Sequence, residues 1–109
     1  MNKVMLVGRL VRDPDLKFTN KGIAKAFFVI AVRGYYDRKI KDTVDDFIPV
    51  IMWGKGAETL ANHAKKGWLV EVEGRLKAGS YERDGKVIYT LEFVAESFEF
   101  LSRPRGGEK

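Results

Sequence analysis

Cysteine is absent from this chain of 109 residues, and histidine occurs only once, as His63. Without cysteine the chain forms neither disulfides nor a thiolate metal site, and a thiol nucleophile is excluded. A single histidine cannot build a multi-histidine metal site, so we expect no cofactor and interpret His63 as a surface or interface residue. Long hydrophobic runs are also lacking, since the N-terminal apolar run is short and ends at Arg9. We therefore expect a cytoplasmic protein without a signal peptide or membrane contact.

Residues suited to catalysis are few. Asp45–Asp46 stand at the end of a loop, and Glu71 and Glu73 lie on a strand beside Arg75, so solvated ion pairing explains both carboxylate pairs. The sequence Gly54–Gly56 resembles a fragment of a phosphate loop, but it lacks the upstream glycine spacing and the Lys-Ser/Thr pair. We predict that the protein is not an enzyme.

The charge balance is modestly basic. Twenty Lys and Arg stand against 15 Asp and Glu, which gives a net charge of +5 and a pI of about 9.5. A basic domain suggests a polyanionic partner, although many small basic domains have none. The length fits one domain that buries a modest core without disulfides.

The stretch Asp46–Lys55 predicts a strand with two apolar faces, because its residues alternate with a period of two. One face must fill a core, and the other must meet another subunit or a flat ligand. Phe47 and Trp53 lie on the same side, about 20 Å apart at about 3.3 Å per residue. That spacing suits a ligand with repeated flat groups. The two faces are Ile48, Val50 and Met52 on one side and Phe47, Pro49, Ile51 and Trp53 on the other.

The remaining pattern predicts further strands and one helix. The helix covers Lys55–Lys66, because small and apolar residues recur there at helical spacing, and Gly67 is its expected C′ residue. Gly34–Asp45 is predicted to be a charged loop, and Asp84–Gly85 a tight turn. The other strands are Val4 to Phe18 with a break at Asp13–Pro14, Ile23 to Arg33, Trp68 to Lys77, and Val87 to Val94 with a continuation over Ser97 to Leu101 or a separate short strand there.

This order, β-β-β-α-β-β, predicts an all-β protein with an OB-fold: a five-stranded Greek-key barrel with one short helix between strands three and four. An SH3-like barrel or a half-open sheet would share most of the pattern. We place the domain at residues 1–101 and expect residues 102–109 to form a flexible tail.

Aromatic residues are interleaved with basic ones at strand ends and in loops. Single-stranded nucleic acid needs both groups, because bases stack on aromatic faces and cations neutralise the backbone. Tyr36 and Tyr81 lie in charged segments where core burial is not expected, whereas Phe47 and Trp53 fit either base stacking or a core or subunit contact. The aromatics interpreted as core are Trp68, Phe27, Phe28, Phe93, Phe98 and Phe100.

Short motifs recur along the chain: Asn2–Leu10, Asp13–Pro14, Trp53–Lys55 with Ala57–Glu58, Lys66–Gly67 and Glu73–Leu76. Together they resemble the bacterial and phage single-stranded DNA-binding proteins. No single motif is specific, but the set runs in the right order from Asn2 to about Leu101. The resemblance implies an OB-fold that assembles as a homotetramer, or less often a dimer. It also implies sequence-independent binding and protection of single-stranded DNA in replication, recombination and repair, in the bacterial cytoplasm or nucleoid or from a phage gene.

The resemblance further implies which residues contact DNA. The family's four stacking aromatics fall on Tyr36, Phe47, Trp53 and Tyr81. The second apolar face of the sheet is expected to make subunit contacts. The basic residues that the resemblance places at phosphates are Lys39, Lys55, Lys65, Lys66 and Lys77, with Lys3 and Arg9 as further candidates. The interleaving of basic and aromatic residues adds Arg33 and Arg83.

Two departures from the family pattern affect these expectations. Pro49, Gly79 and Ser80 stand where some members carry basic residues, which bears on affinity and salt dependence. The sequence stops at Lys109 without the acidic, Phe-ending tip of many members, so recruitment of repair and replication proteins through such a tip is not expected. Two other functions fit the pattern: an OB-fold adaptor of a primosome-type complex, and an RNA-binding module of the cold-shock kind, although that kind is shorter and lacks the helix.

Overall fold

Six strands and one helix make up residues 1–102, the part of the chain that the computed structural model describes. The run expected as one first strand is divided near Pro14, because proline fixes its backbone and has no N–H for a ladder. The elements are β1 (Val4–Leu10), β2 (Asp15–Phe18), β3 (Ala24–Asp37), β4 (Asp42–Trp53), α1 (Lys55–His63), β5 (Leu69–Arg83) and β6 (Lys86–Ser102).

Five of these strands close into a barrel. β1 pairs with β5, β5 with β6, β6 with β4 and β4 with β3. β3 then returns to β1 through the pairs Arg9–Ala31 and Leu10–Ile30, while β2 pairs with β3 outside this ring. A closed five-stranded ring with a helix between its third and fourth strands is the OB-fold arrangement. The all-β prediction is confirmed, and the half-open sheet is excluded.

The barrel interior is filled by alternate residues of the strands. β3 shows the period clearly, since Ala24, Ala26, Phe28 and Ile30 are buried and the residues between them are only partly buried. The largest fully buried side chains are Phe28, Leu10, Ile30, Leu60, Val50, Val70 and Val72.

Helix α1 packs against the barrel through its apolar stripe. Gly54 has a φ of 82°, a conformation that glycine adopts without strain, and it turns the chain from β4 into the helix. Ala57 and Leu60 on the stripe are buried. Within residues 1–102 no helix is long and apolar enough to cross a membrane.

The helix ends three residues earlier than the sequence pattern predicts. Its last residue is His63, and Ala64 already has extended backbone angles. Gly67 is therefore not the C′ residue; it lies in the connection to β5, where its N–H donates to the carbonyl oxygen of Leu10 at 2.8 Å. His63 is exposed, as expected for a surface residue.

The predicted charged loop Gly34–Asp45 is wrong over most of its length. β3 continues to Asp37 and β4 begins at Asp42, so only residues 38–41 form the turn. The aromatic and β-branched residues of this segment favour the extended ladder. Gly34 allows the two strands to approach, because a Cβ there would overlap the carbonyl oxygen of Val44.

Strands β5 and β6 extend beyond the barrel as a two-stranded hairpin. Every residue from Arg75 to Glu92 is exposed, and the ladder continues to the pair Arg83–Lys86. Asp84 and Gly85 form the turn with φ of 52° and 77°, which confirms the predicted tight turn. The hairpin helps to raise the radius of gyration to 15.8 Å, against about 13 Å for a compact domain of this size. Of the predicted tail, only Ser102 is described, and it is the last residue of β6.

Candidate nucleic-acid interface

The outward side of β3 and β4 carries a row of apolar side chains. Their alternate neighbours fill the barrel, so these residues face away from the core. Phe47 and Trp53 are 65% and 46% exposed, well above any core residue. The strand with two apolar faces that was predicted around Val50 is thus present, and its second face is exposed to solvent. We call Phe27, Val29, Ala31, Phe47, Pro49, Ile51 and Trp53 the outer apolar face.

Phe27 belongs to this face, and its assignment to the core is wrong. It precedes the fully buried Phe28, so the period of two places it on the opposite side of β3. It pairs with Ile51 across the ladder and lies between the positions of Trp53 and Phe47. Phe27 is half-buried and therefore offers part of its ring to solvent. The signal that could have identified it is the alternation within Ala24–Ala31.

Lys25 is a second site residue that sequence reasoning missed. It lies directly opposite Trp53 in the ladder, and its Nζ is 5.2 Å from the centre of the indole ring. An exposed cation over an indole is worth about 0.5–1 kcal/mol. The same geometry holds a positive charge beside the exposed indole ring.

The register of β3 brings Tyr36 to the side of Phe47. The ladder is irregular between Val32 and Tyr35, and beyond it Tyr36 pairs with Thr43. Paired residues share a face of the sheet, and Thr43 shares the face of Phe47 because the two are four residues apart on one strand. Tyr36 is 58% exposed there. Without the irregularity the face would carry Tyr35 instead.

Tyr81 lies on the hairpin, on a face that continues from the outer apolar face. The continuation runs through Val94, which pairs with Ile51 on one side and with Arg75 on the other. Residues at intervals of two along β5 share that face with Arg75, which places Lys77, Tyr81 and Arg83 on it. Tyr81 is 49% exposed. The four predicted stacking aromatics therefore lie along one connected side of the molecule.

Arg33 lines a cavity at the other end of this side. The cavity has a volume of about 410 Å³ and also includes Arg9, Thr43 and Asp45. The Nη1 atom of Arg9 donates to the carbonyl oxygen of Gly67 at 2.9 Å, which fixes its position. Two guanidinium groups and one carboxylate make this end polar and cationic, beside Tyr36 and Phe47.

The other predicted basic residues are more dispersed. Lys39 lies in the β3–β4 turn, where its N–H donates to Asp37, and Lys55 is the first residue of α1. Lys65 and Lys66 lie in the connection from α1 to β5, and the Lys66 N–H donates to Asp13. The structure therefore brings Arg33, Lys77 and Arg83 together with the aromatics, flanks them with Lys39 and Lys55, and leaves Lys65 and Lys66 at the end of the barrel beside Asp13.

Comparison with known proteins identifies the family. The model of the single-strand binding protein family matches residues 1–101. The chain belongs to this family. Single-stranded DNA-binding proteins from Bacillus cereus and Enterococcus faecalis are 46% and 42% identical to it, over 98% and 100% of the chain. The chain spans 64% and 58% of their respective lengths, about three fifths of each.

A solved structure of the same family has the same fold. It is a deletion mutant of the single-stranded DNA binding protein from Thermus aquaticus, with a TM-score of 0.78 and 29% sequence identity. The match covers 97% of this chain and 52% of that one. The expected resemblance and the expected OB-fold are both confirmed.

Proposed function

We propose that this chain binds single-stranded DNA without overall sequence preference and protects it in replication, recombination and repair. The observation that carries the proposal is the connected side that presents Tyr36, Phe47, Trp53 and Tyr81 to solvent. Four exposed aromatics next to basic residues match the two requirements of a strand with repeated flat bases and a charged backbone.

In this mechanism the aromatic residues provide most of the affinity, and the cationic residues position the phosphate backbone of the strand. Each stacked base contributes about 1–3 kcal/mol and tolerates any base type, because every base has a π-face. Arg33, Lys77 and Arg83 neutralise phosphates along the same path, with Lys25 at Trp53. Binding and release of the strand break no covalent bond, so we propose a binding protein and not an enzyme.

The adaptor hypothesis has less support. An adaptor's aromatic anchors would be covered by a protein partner, whereas the exposed aromatics here are spaced along one connected side of three strands and flanked by basic side chains. Both relatives named above are called single-stranded DNA-binding proteins. The adaptor hypothesis would be favoured only if the protein does not bind DNA.

We also propose that the chain forms homo-oligomers, with a tetramer as the expected state. Met5 and Val7 on the outward side of β1 are 57% and 45% exposed, so they are accessible to another copy of the chain. Light scattering of the purified chain should give a mass near four protomers, and a monomer would contradict the proposal.

We also propose that the protein acts in the bacterial cytoplasm or nucleoid, or in the host cytoplasm if a phage encodes it.

Tryptophan fluorescence tests the DNA-binding proposal. Oligo(dT) should quench the emission strongly, and a duplex of equal length should not, because only the single strand offers free base faces. The quenching should disappear in Trp53→Phe and persist in Trp68→Phe, since Trp68 is partly buried against Phe100, with ring centres 5.2 Å apart. Absence of quenching at low salt in the unaltered protein would favour the adaptor.

The salt dependence of binding should distinguish two of the predicted lysines. Each phosphate contact on a single strand contributes about −0.7 to the slope of log K against log salt concentration. Lys77→Ala should therefore reduce the magnitude of the slope by about 0.7, because Lys77 shares the face of Tyr81. Lys66→Ala, which removes the same charge beside Asp13, should leave the slope unchanged. Equal effects of the two substitutions would show that the bound strand also passes the α1–β5 connection.

A further inference from the structure

A small cavity opens where β4 and β6 separate. The parallel ladder between them covers only Val50–Met52 and Phe93–Ala95. The next pair in register would be Pro49 and Glu92, and proline supplies no N–H for a ladder. The cavity has a volume of about 170 Å³ and is lined by Phe27, Pro49, Ile51, Leu91, Glu92 and Phe93.

This cavity is continuous with the outer apolar face. Phe27 and Ile51 are cross-strand neighbours on that face, and Ile51 is in register with Val94 of β6. Glu92 lies two residues before Val94 and so shares its side of β6. A strand stacked on Phe47 and Trp53 must therefore pass the cavity.

Glu92 is an unusual group to find in such a position. Its carboxylate repels phosphates, and it is the one charged side chain in an otherwise apolar lining. Two other acids on this side have basic partners: Asp15 lies 3.9 Å from Lys17, and Glu96 lies 3.9 Å from Arg75. Within residues 1–102 the ion pairs shorter than 4.0 Å do not include Glu92, although Lys77 stands opposite it in the ladder.

We propose that this cavity is a base pocket that favours cytosine, with the ring of Phe27 against the base and the carboxylate of Glu92 accepting a hydrogen bond from its N4 amino group. A carboxylate suits that role because the 4-position of cytosine carries a donor, whereas thymine carries an acceptor there. The cavity is smaller than the roughly 300–1,000 Å³ of drug-sized sites, so it suits a single ring. The inference rests on the proposed DNA binding and adds a local base preference to it.

The test compares affinities for oligo(dC) and oligo(dT) of equal length in the full chain. Glu92→Ala should strengthen binding to both by removing a negative charge, but it should lower the preference for oligo(dC) over oligo(dT) about fivefold, near the low end of one base contact. Oligo(dC) with a dimethylated N4 has no donor, so its affinity relative to oligo(dT) should not change on this substitution. Glu82→Ala is the matched control, since it removes the same charge from the same hairpin outside the cavity.

Phe27→Leu tests the stacking half of the pocket. It retains an apolar wall but removes the ring, so affinity for both oligonucleotides should fall about fivefold while the melting temperature changes little. An unchanged ratio in Glu92→Ala, or equal effects of Glu92→Ala and Glu82→Ala on that ratio, would overturn the pocket and leave the proposed function intact. If the unaltered protein binds neither oligonucleotide, the proposed function itself fails.

Discussion

Replacing Phe47 and Trp53 together with alanine should weaken oligo(dT) binding by about thirtyfold or more. Each ring contributes about 1–3 kcal/mol per stacked base, and 1.4 kcal/mol corresponds to a factor of ten in affinity. Both side chains are largely solvent-exposed, so their loss should leave the barrel folded. Fluorescence anisotropy of labelled oligo(dT) measures the affinity, and circular dichroism confirms the fold.

The matched control replaces two other exposed aromatics that lie off the proposed DNA path. Tyr89 is 80% exposed and follows Ile88, the partner of Tyr81, so it faces the opposite side of the hairpin. Phe18 is 57% exposed at the end of β2. The variant Phe18→Ala with Tyr89→Ala should bind oligo(dT) within about twofold of the unaltered protein, a change below 0.5 kcal/mol. If both double variants lose affinity equally, general surface hydrophobicity and not this face would be responsible.

Phe28→Ala should lower the free energy of unfolding by about 3–5 kcal/mol, the range for deleting a buried phenylalanine ring. Phe28 is 1% exposed inside the barrel, where its removal leaves a cavity in the core. Because the total stability of a domain is about 5–15 kcal/mol, this is a large share of it. The melting temperature should fall by at least about 12 °C, measured by calorimetry.

The adjacent residue provides the contrast. Phe27→Ala removes the same ring from the opposite side of the strand, where it is half-buried, so the loss should be about 1 kcal/mol. Its main effect should be on DNA affinity. If Phe27→Ala and Phe28→Ala destabilise the protein equally, Phe27 is a core residue after all.

Local alternation predicted the strands and their two faces well, because it depends only on neighbouring residues. Closure of the barrel depends on which strands meet. β1 and β3 meet through only two pairs within the described residues, at Arg9 and Leu10. The residue pattern of one strand does not indicate which other strand it will pair with. The charged segment after Gly34 was predicted as a loop from its composition, and cross-strand pairing of Tyr36 with Thr43 outweighed that composition.

The candidate site was predictable where an aromatic residue stands among charges, and not where its neighbours are apolar. Tyr36 and Tyr81 met the first condition, whereas the pattern around Phe47 and Trp53 fitted either base stacking or a core or subunit contact. Phe27 did not meet it, because its neighbours Ala26 and Phe28 are apolar and favour a core interpretation. Only assigning alternate residues of the strand to opposite faces separates Phe27 from the core. Lys25 became part of the site only through its position opposite Trp53, a relation between two strands that are far apart in sequence.

The long hairpin divides the proposed DNA path into two parts of different local stability. Phe47 and Trp53 stand on strands anchored in the barrel, so their backbone opens only when much of the domain unfolds. Tyr81 stands on a two-stranded ribbon whose residues are all exposed, and such a ribbon is marginally stable by itself. A nucleotide that reaches Tyr81 must therefore reduce the conformational freedom of the ribbon, an entropic cost that stacking on Trp53 does not carry. Contacts with DNA should accordingly begin on the barrel and extend along the hairpin as the bound strand lengthens.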